Sequence, residues 1–105
     1  MLMINVITHM RILSKKRMEL LQTLDILAVP IRMEKGCNHW DIYQSIEDSN
    51  RLIVFEAWDN QANLMTHQKT KHFKVLQGAI DLFKDPCEKV FSAIFHTAGE
   101  EEVQI

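Results

Sequence analysis

Residues 3 to 12 read MINVITHMRI, rich in β-branched side chains, with Ile4, Val6, Thr8 and Met10 alternating against Asn5, Ile7, His9 and Arg11. Alternation of period two predicts a strand. The period then changes. Leu20, Leu24, Leu27 and Ile31 recur at +4, +7 and +11, the single apolar stripe of a helix. Ser14 offers a hydroxyl to cap its start, although Lys15, Lys16 and Arg17 bring the wrong charge sign to the first turn. Pro30 lacks an N–H and disfavours a helical Val29, which predicts a kink or restart there and a stop at Gly36.

Residues 37 to 46 and 51 to 58 read as strands, and Glu47, Asp48, Ser49 and Asn50 between them are turn formers of hairpin-loop length. Those two strands pair antiparallel. Asp59 or Asn60 can cap a short helix through His67, and Thr70 a second through Phe83, with Phe73, Leu76, Ile80 and Phe83 on one side. Pro86 ends that helix, 88 to 97 form the last strand, and a short acidic tail begins at Gly99. The order β-α-β-β-α-β predicts an α+β, ferredoxin-like domain over residues 1 to 98. In it a four-stranded antiparallel sheet carries its helices on one face. Leu52, Ile53, Val54 and Phe55 are apolar toward both faces, so the bare face is expected to meet the same face of a second copy, giving a homodimer.

Composition narrows the chemistry. A chain of 105 residues fits one domain, and one this small buries only ~60 to 68% of its unfolded surface, which also favours self-association. The formal charge is -2, from 12 basic and 14 acidic residues with 5 His, so no field exists to hold a polyanion and nucleic acid is excluded as a partner. A basic, aromatic third strand of an RNA-recognition module is mimicked by residues 51 to 58, but Leu52 stands where that strand needs glycine, and Glu56 adds an acid. No apolar run approaches the ~18 residues of a membrane span, and the expected location is the cytosol, where Cys37 and Cys87 stay thiols. The 3 glycines cannot supply a dinucleotide fingerprint, a phosphate loop or a nucleophile elbow, and the strong zinc signatures C-x-x-C and H-E-x-x-H are absent.

What remains are histidines, one carboxylate and aromatics. His67 and His72 are five apart, ~140° around one continuous helix, so they cannot hold a metal from one face. If Thr70 restarts the helix, His72 falls in a first turn, where the dipole disfavours protonation, while His67 closes the preceding turn, where it is favoured. One is then suited to act as base and the other as donor; the plain alternative is two solvated histidines beside a lysine-rich turn. Glu56 shares a strand face with Val54 and Trp58, and a buried carboxylate beside an indole can bind a hydroxyl or act as a base. Trp40, Tyr43 and Trp58 are the large aromatics of the hairpin strands, and core packing is the alternative for each.

Glu34-Lys35-Gly36-Cys37, Tyr43-Gln44-Ser45, Phe55-Glu56-Ala57-Trp58 and His67-Gln68-Lys69-Thr70-Lys71-His72-Phe73 together resemble the antibiotic biosynthesis monooxygenase family. In that pattern E-x-G-C opens the second strand, E-x-W closes the third, and H-x-x-x-x-H-[FY] bridges the second helical region. The resemblance implies a dimeric α+β barrel with a pocket between sheet and helices. It also implies oxidation of electron-rich phenols, anthrones or quinols by dioxygen with no metal or flavin. It makes His67 and His72 candidate catalytic residues and Glu56, Trp58, Tyr43 and Phe73 candidate substrate contacts, with Glu56 orienting a substrate hydroxyl. Haem-degrading relatives are disfavoured, since His67 and Gln77 stand where those proteins use Trp and the haem-ligating His. A similar histidine segment occurs in the isomerase that processes phosphorylated autoinducer-2, with Lys69, Lys71 and Lys74 available for a phosphate. A non-catalytic ligand-binding barrel is the other alternative. Lys71 replaces a proline common in relatives, which leaves the turn between the histidines less rigid.

Overall fold

A computed structural model of the chain describes residues 3–97. The elements are β1 (Met3–Arg11), α1 (Arg17–Arg32), β2 (Cys37–Gln44), β3 (Arg51–Trp58), α2 (Gln61–His67), α3 (Lys71–Phe83) and β4 (Phe91–Thr97), with a 3-10 turn at Ser14–Lys16 before α1. The four strands form one antiparallel sheet in the order β2-β3-β1-β4. This is the expected ferredoxin-like α+β fold.

Period-two alternation sorts the sheet into two faces. One carries Ile4, Val6 and Met10 of β1, Trp40 of β2 and Leu52, Val54 and Trp58 of β3. All are buried against Leu20, Leu24, Leu27, Ala28 and Ile31 of α1, Leu64 of α2 and Leu76 and Ile80 of α3. That layer is the core. The register aligns Trp40, Glu56, Val6 and Ile94 in one row across all four strands. At the outer end of the row the helices no longer cover the sheet, and Ile94 is 58% exposed although it points to the helix side. The opposite face carries Ile7, Ile53, Phe55, Phe91 and Phe95, with the His9 ring stacked on Phe91 at 4.8 Å. Among the described residues no helix lies over it.

Several boundaries differ from the sequence expectation. Ser14 does not cap α1: no side chain caps that helix, which starts at Arg17 after a tight turn closed by the Lys16 N–H to the Leu13 carbonyl at 2.8 Å. Three consecutive cations explain this, because a helix entering there would meet its own dipole unfavourably. The helix runs without restart through Pro30 and ends at Arg32, before Gly36. Pro30 lies in the last turn, and the carbonyl it leaves unpaired belongs to Ile26, which is 72% exposed and open to water. β2 stops at Gln44 because the Ser45 hydroxyl accepts from the Glu47 and Asp48 N–H groups and bends the chain early. β4 starts only at Phe91, after Asp85 has accepted from the Cys87 and Glu88 N–H groups in a turn. Cys37 and Cys87 are both free thiols. No described helix is long and apolar enough to cross a membrane. The tail expected from Gly99 lies outside the described residues.

Candidate functional site

β3 ends with Glu56 and Trp58 on the helix face, two residues apart and therefore side by side. The indole N–H of Trp58 donates to Glu56 Oε1 at 3.1 Å, and both side chains are buried. Burial is the main cause that pushes the Glu56 carboxyl above its usual range; the Trp58 hydrogen bond and the His67 ring oppose it, and the negative charge of Glu34 adds to it.

α2 is a short helix held at both ends. Asn60, one of the two expected caps, accepts from the Asn63 N–H at 2.9 Å. At the other end the Thr70 hydroxyl donates to the His67 carbonyl at 2.7 Å and accepts from the Phe73 N–H at 3.1 Å. One side chain therefore closes α2 and opens α3, as expected of Thr70. The result turns His67 inward, where it is 1% exposed. Its ring stacks on Trp58 at 4.6 Å and meets the edge of Phe73 at 5.3 Å. Nδ1 lies 2.9 Å from Glu34 Oε1, and Nε2 faces Glu56 Oε1 at 3.6 Å, with no hydrogen-bond partner.

Glu34 reaches His67 from the turn between α1 and β2. Gly36 in that turn has φ +80, and a Cβ there would collide with the side chain of Asn63 in α2. The turn is pinned by the Asp59 N–H to the Gly36 carbonyl at 2.8 Å, and Asn38 Nδ2 donates to Asp59 Oδ1 at 2.7 Å. Cys37 follows, and its thiol is pushed up to about 11 by burial and by the charges of Glu34 and Glu56, with Arg32 opposing. At neutral pH it stays protonated.

A cavity of about 100 Å³ lies between the sheet and α2 and α3. A single water needs roughly 10–15 Å³, so this space suits a small molecule. Its walls are Val6, Val54, Leu64, Phe73, Leu76 and Ile80, with polar groups from Glu56, Thr8, Gln68, Gln77 and Ser92, and Ile94 at the uncovered edge. Glu56 is on this wall; His67 stands behind it. A larger recess of about 680 Å³ lies between α1 and the edge strand β2, but Asp25, Arg32, Asp41 and Tyr43 on its rim are exposed or half-exposed, and no buried ionisable group faces it.

The structure thus brings together four of the six sequence candidates, His67, Glu56, Trp58 and Phe73. Tyr43 is not among them: it pairs with Ile53 on the opposite sheet face and is exposed. His72, half-buried in the first turn of α3, does not line the cavity and among the described residues makes no hydrogen bond or ring contact to the cluster. Lys69, Lys71 and Lys74 are exposed and also off the cavity wall. Glu34 was visible only as the first residue of E-x-G-C, with no role attached. Its signal was Gly36, since a glycine required by a left-handed turn marks a close approach. Among the described residues no group of three or more His, Cys, Asp or Glu side chains is disposed to hold a metal ion.

A ferredoxin-like sheet with its buried ionisable groups between sheet and helices, beside a small cavity, defines the class of α+β domain to which this structure belongs. The sequence profile of the antibiotic biosynthesis monooxygenase family matches residues 3–79, and the chain belongs to that family. It is 26% identical over 66 residues to "Putative monooxygenase YcnE" of Bacillus subtilis, an alignment covering 63% of this chain and 70% of that protein. It is 34% identical over 50 residues to "Putative monooxygenase Rv0793" of Mycobacterium tuberculosis, covering 48% of each. That sequence alignment spans about half the length of the second relative. The solved structure of a "Putative antibiotic biosynthesis monooxygenase from Nitrosomonas europaea" superposes with a TM-score of 0.85 at 18% identity, covering 92% of this chain and 91% of that one. That of Rv0793 gives 0.81 at 22%, covering 97% and 99%. These superpositions bear on the fold.

Proposed function

We propose that this protein is a monooxygenase that oxidises a small electron-rich aromatic, of the quinol, phenol or anthrone type, with dioxygen in the cavity walled by Glu56. One observation carries the reading: a buried carboxylate whose proton affinity is raised by burial, the sole ionisable group among the described residues on a mostly apolar wall beside Phe73. Glu56 takes the substrate's hydroxyl proton, and the resulting anion is electron-rich enough to pass an electron to dioxygen itself. For an anthrone-type substrate the methylene carbon loses both hydrogens and becomes a carbonyl carbon. One atom of dioxygen enters that carbonyl, and the other leaves with the two hydrogens as water. Apolar walls shield the anion and the reduced oxygen from water. Trp58 and His67 hold Glu56 in place, and Phe73 offers a ring edge or face to the aromatic substrate.

The reading includes a homodimer in which the helix-free face of one copy covers that of another. The apolar residues Ile7, Ile53, Phe55, Phe91 and Phe95 on that face support it, and the exposed Tyr43 falls at the same interface.

The test is dioxygen uptake by metal-stripped protein with a panel of reduced quinols, phenols and anthrones, corrected for autoxidation, using dioxygen labelled with oxygen-18 to follow the label. Uptake above background with one labelled atom in the product is expected. A folded protein that consumes no dioxygen with any member of the panel overturns the reading and favours an isomerase or a ligand-binding barrel.

A further inference from the structure

We infer that Glu34 is a positioning residue of this site: it holds His67 by Nδ1–H, so that Nε2 shares a proton with Glu56 and receives the proton that Glu56 takes from substrate. The inference rests on the cavity being the reaction site. Its starting point is where the hydrogen atoms lie. The contact of Nδ1 with Glu34 Oε1 at 2.9 Å places a proton on Nδ1, because a carboxylate can only accept. Nε2 is then either a bare lone pair or a second N–H. It is buried, has no hydrogen-bond partner, and faces Glu56 Oε1 at 3.6 Å, an oxygen that already accepts from Trp58. Two lone pairs facing each other in a buried gap repel, so the arrangement is satisfied when one proton sits between them, on either side.

That proton defines the relay. The substrate O–H bond breaks, its electron pair stays on the substrate oxygen, and Glu56 gains the proton. Glu56 passes it to Nε2, the Glu56 O–H bond breaking as the N–H bond forms, and His67 becomes an imidazolium between two carboxylates, stacked on the Trp58 face. Glu34 stabilises that cation and fixes the ring, the part an acid plays behind histidine in a nucleophile–histidine–acid triad. The side chains are largely buried, His67 1%, Glu56 10% and Glu34 18% exposed, and Glu34 Oε2 is also buried with no hydrogen-bond partner among the described residues, so the proton is held on Nε2 out of water until it returns through Glu56 to the reduced oxygen that leaves as water.

The groups facing the ring are Glu34 from the α1–β2 turn, Glu56 and Trp58 from β3, and Phe73 from α3. Beyond the two glutamates stands the Cys37 thiol at the start of β2, held protonated, with Arg32 and Asp41 outside it. Glu34 and Glu56 are the carboxylates in contact with the imidazole.

The experiment joins 15N NMR of the His67 ring to steady-state kinetics for the wild type, Glu34→Gln and the charge-retaining Glu34→Asp. In the wild type the Nδ1 signal is expected to be that of a protonated nitrogen hydrogen-bonded to Glu34. In Glu34→Gln the Nδ1 preference is lost and kcat falls on the order of 10²- to 10⁴-fold, the range of one acid–base contribution, with KM nearly unchanged. Glu34→Asp recovers part of both. A wild-type ring carrying its proton on Nε2 alone overturns the inference without reference to any variant. So does a folded Glu34→Gln whose kcat, pH profile and ring signals match the wild type, and in that case wild-type turnover leaves the proposed reaction standing. If the wild type turns over no substrate while its ring signals follow the Glu34-dependent pattern, the reaction fails and the Glu34 assignment holds.

Discussion

Glu56 faces the cavity with its carboxyl held above the usual range, and the sign of that shift makes a stability prediction. A raised value means the folded protein keeps a proton that the unfolded chain has lost. The resulting stability is fully present below the ordinary glutamate range, ~4.3, and is lost as pH rises through the folded value. Glu56→Gln removes the dependence. Melting temperatures of wild type and variant between about pH 4 and pH 8 should diverge, the wild type losing ground relative to Glu56→Gln as pH rises; parallel curves would mean that Glu56 is not held proton-rich by the fold. At this scale the sequence was partly legible. E-x-W was enough to put Glu56 and Trp58 on one face, because a strand has period two. It was not enough to separate His67 from His72 by role, because their surroundings depend on how Thr70 links α2 to α3. Tyr43 went to the wrong face for the cavity because an apolar–polar alternation marks two sets of residues without saying which set meets the helices.

The elements around the site are short, and single capping and turn residues aim their side chains. Thr70 closes one helix and opens the next, so Thr70→Ala should lower stability by about 0.5–2 kcal/mol. It should also broaden the His67 ring resonances; an unchanged melt with unchanged ring signals would show that the turn is set by other contacts. Gly36 is more sensitive. A left-handed backbone costs an L residue about 1–2 kcal/mol before the collision with Asn63 is counted. Gly36→Ala should therefore destabilise the fold by more than that and detach Glu34 from His67, which thermal unfolding and the Nδ1 resonance together would register. Element types and their order were readable from periodicity alone, as the Leu20–Leu24–Leu27–Ile31 stripe shows. Element ends were less so. Ser14 has the chemistry of a cap but precedes three cations, and Pro30 has the chemistry of a breaker but sits in the last turn, where solvent supplies the missing partner.

At the scale of the whole molecule, the helices cover one sheet face and leave the other with phenylalanine and isoleucine side chains. Light scattering on the intact protein should give twice the chain mass, and Phe55→Glu, which sets a charge in the middle of the helix-free face, should shift it toward monomer; a wild-type monomer at micromolar concentration would contradict the proposed pairing. The unbroken apolar run Leu52-Ile53-Val54-Phe55 was what made that second face visible in the sequence. The cavity itself was not legible there, since its walls come from β1, β3, β4, α2 and α3 at once. Both the proposed reaction and the relay behind it turn on Glu56 being the proton acceptor in that cavity. The most direct test is turnover, measured as dioxygen uptake on a quinol or anthrone by wild type and Glu56→Gln in parallel, with both shown to be folded. A fall in kcat on the order of 10²- to 10⁴-fold is predicted for the variant. Equal rates in the two proteins would contradict it.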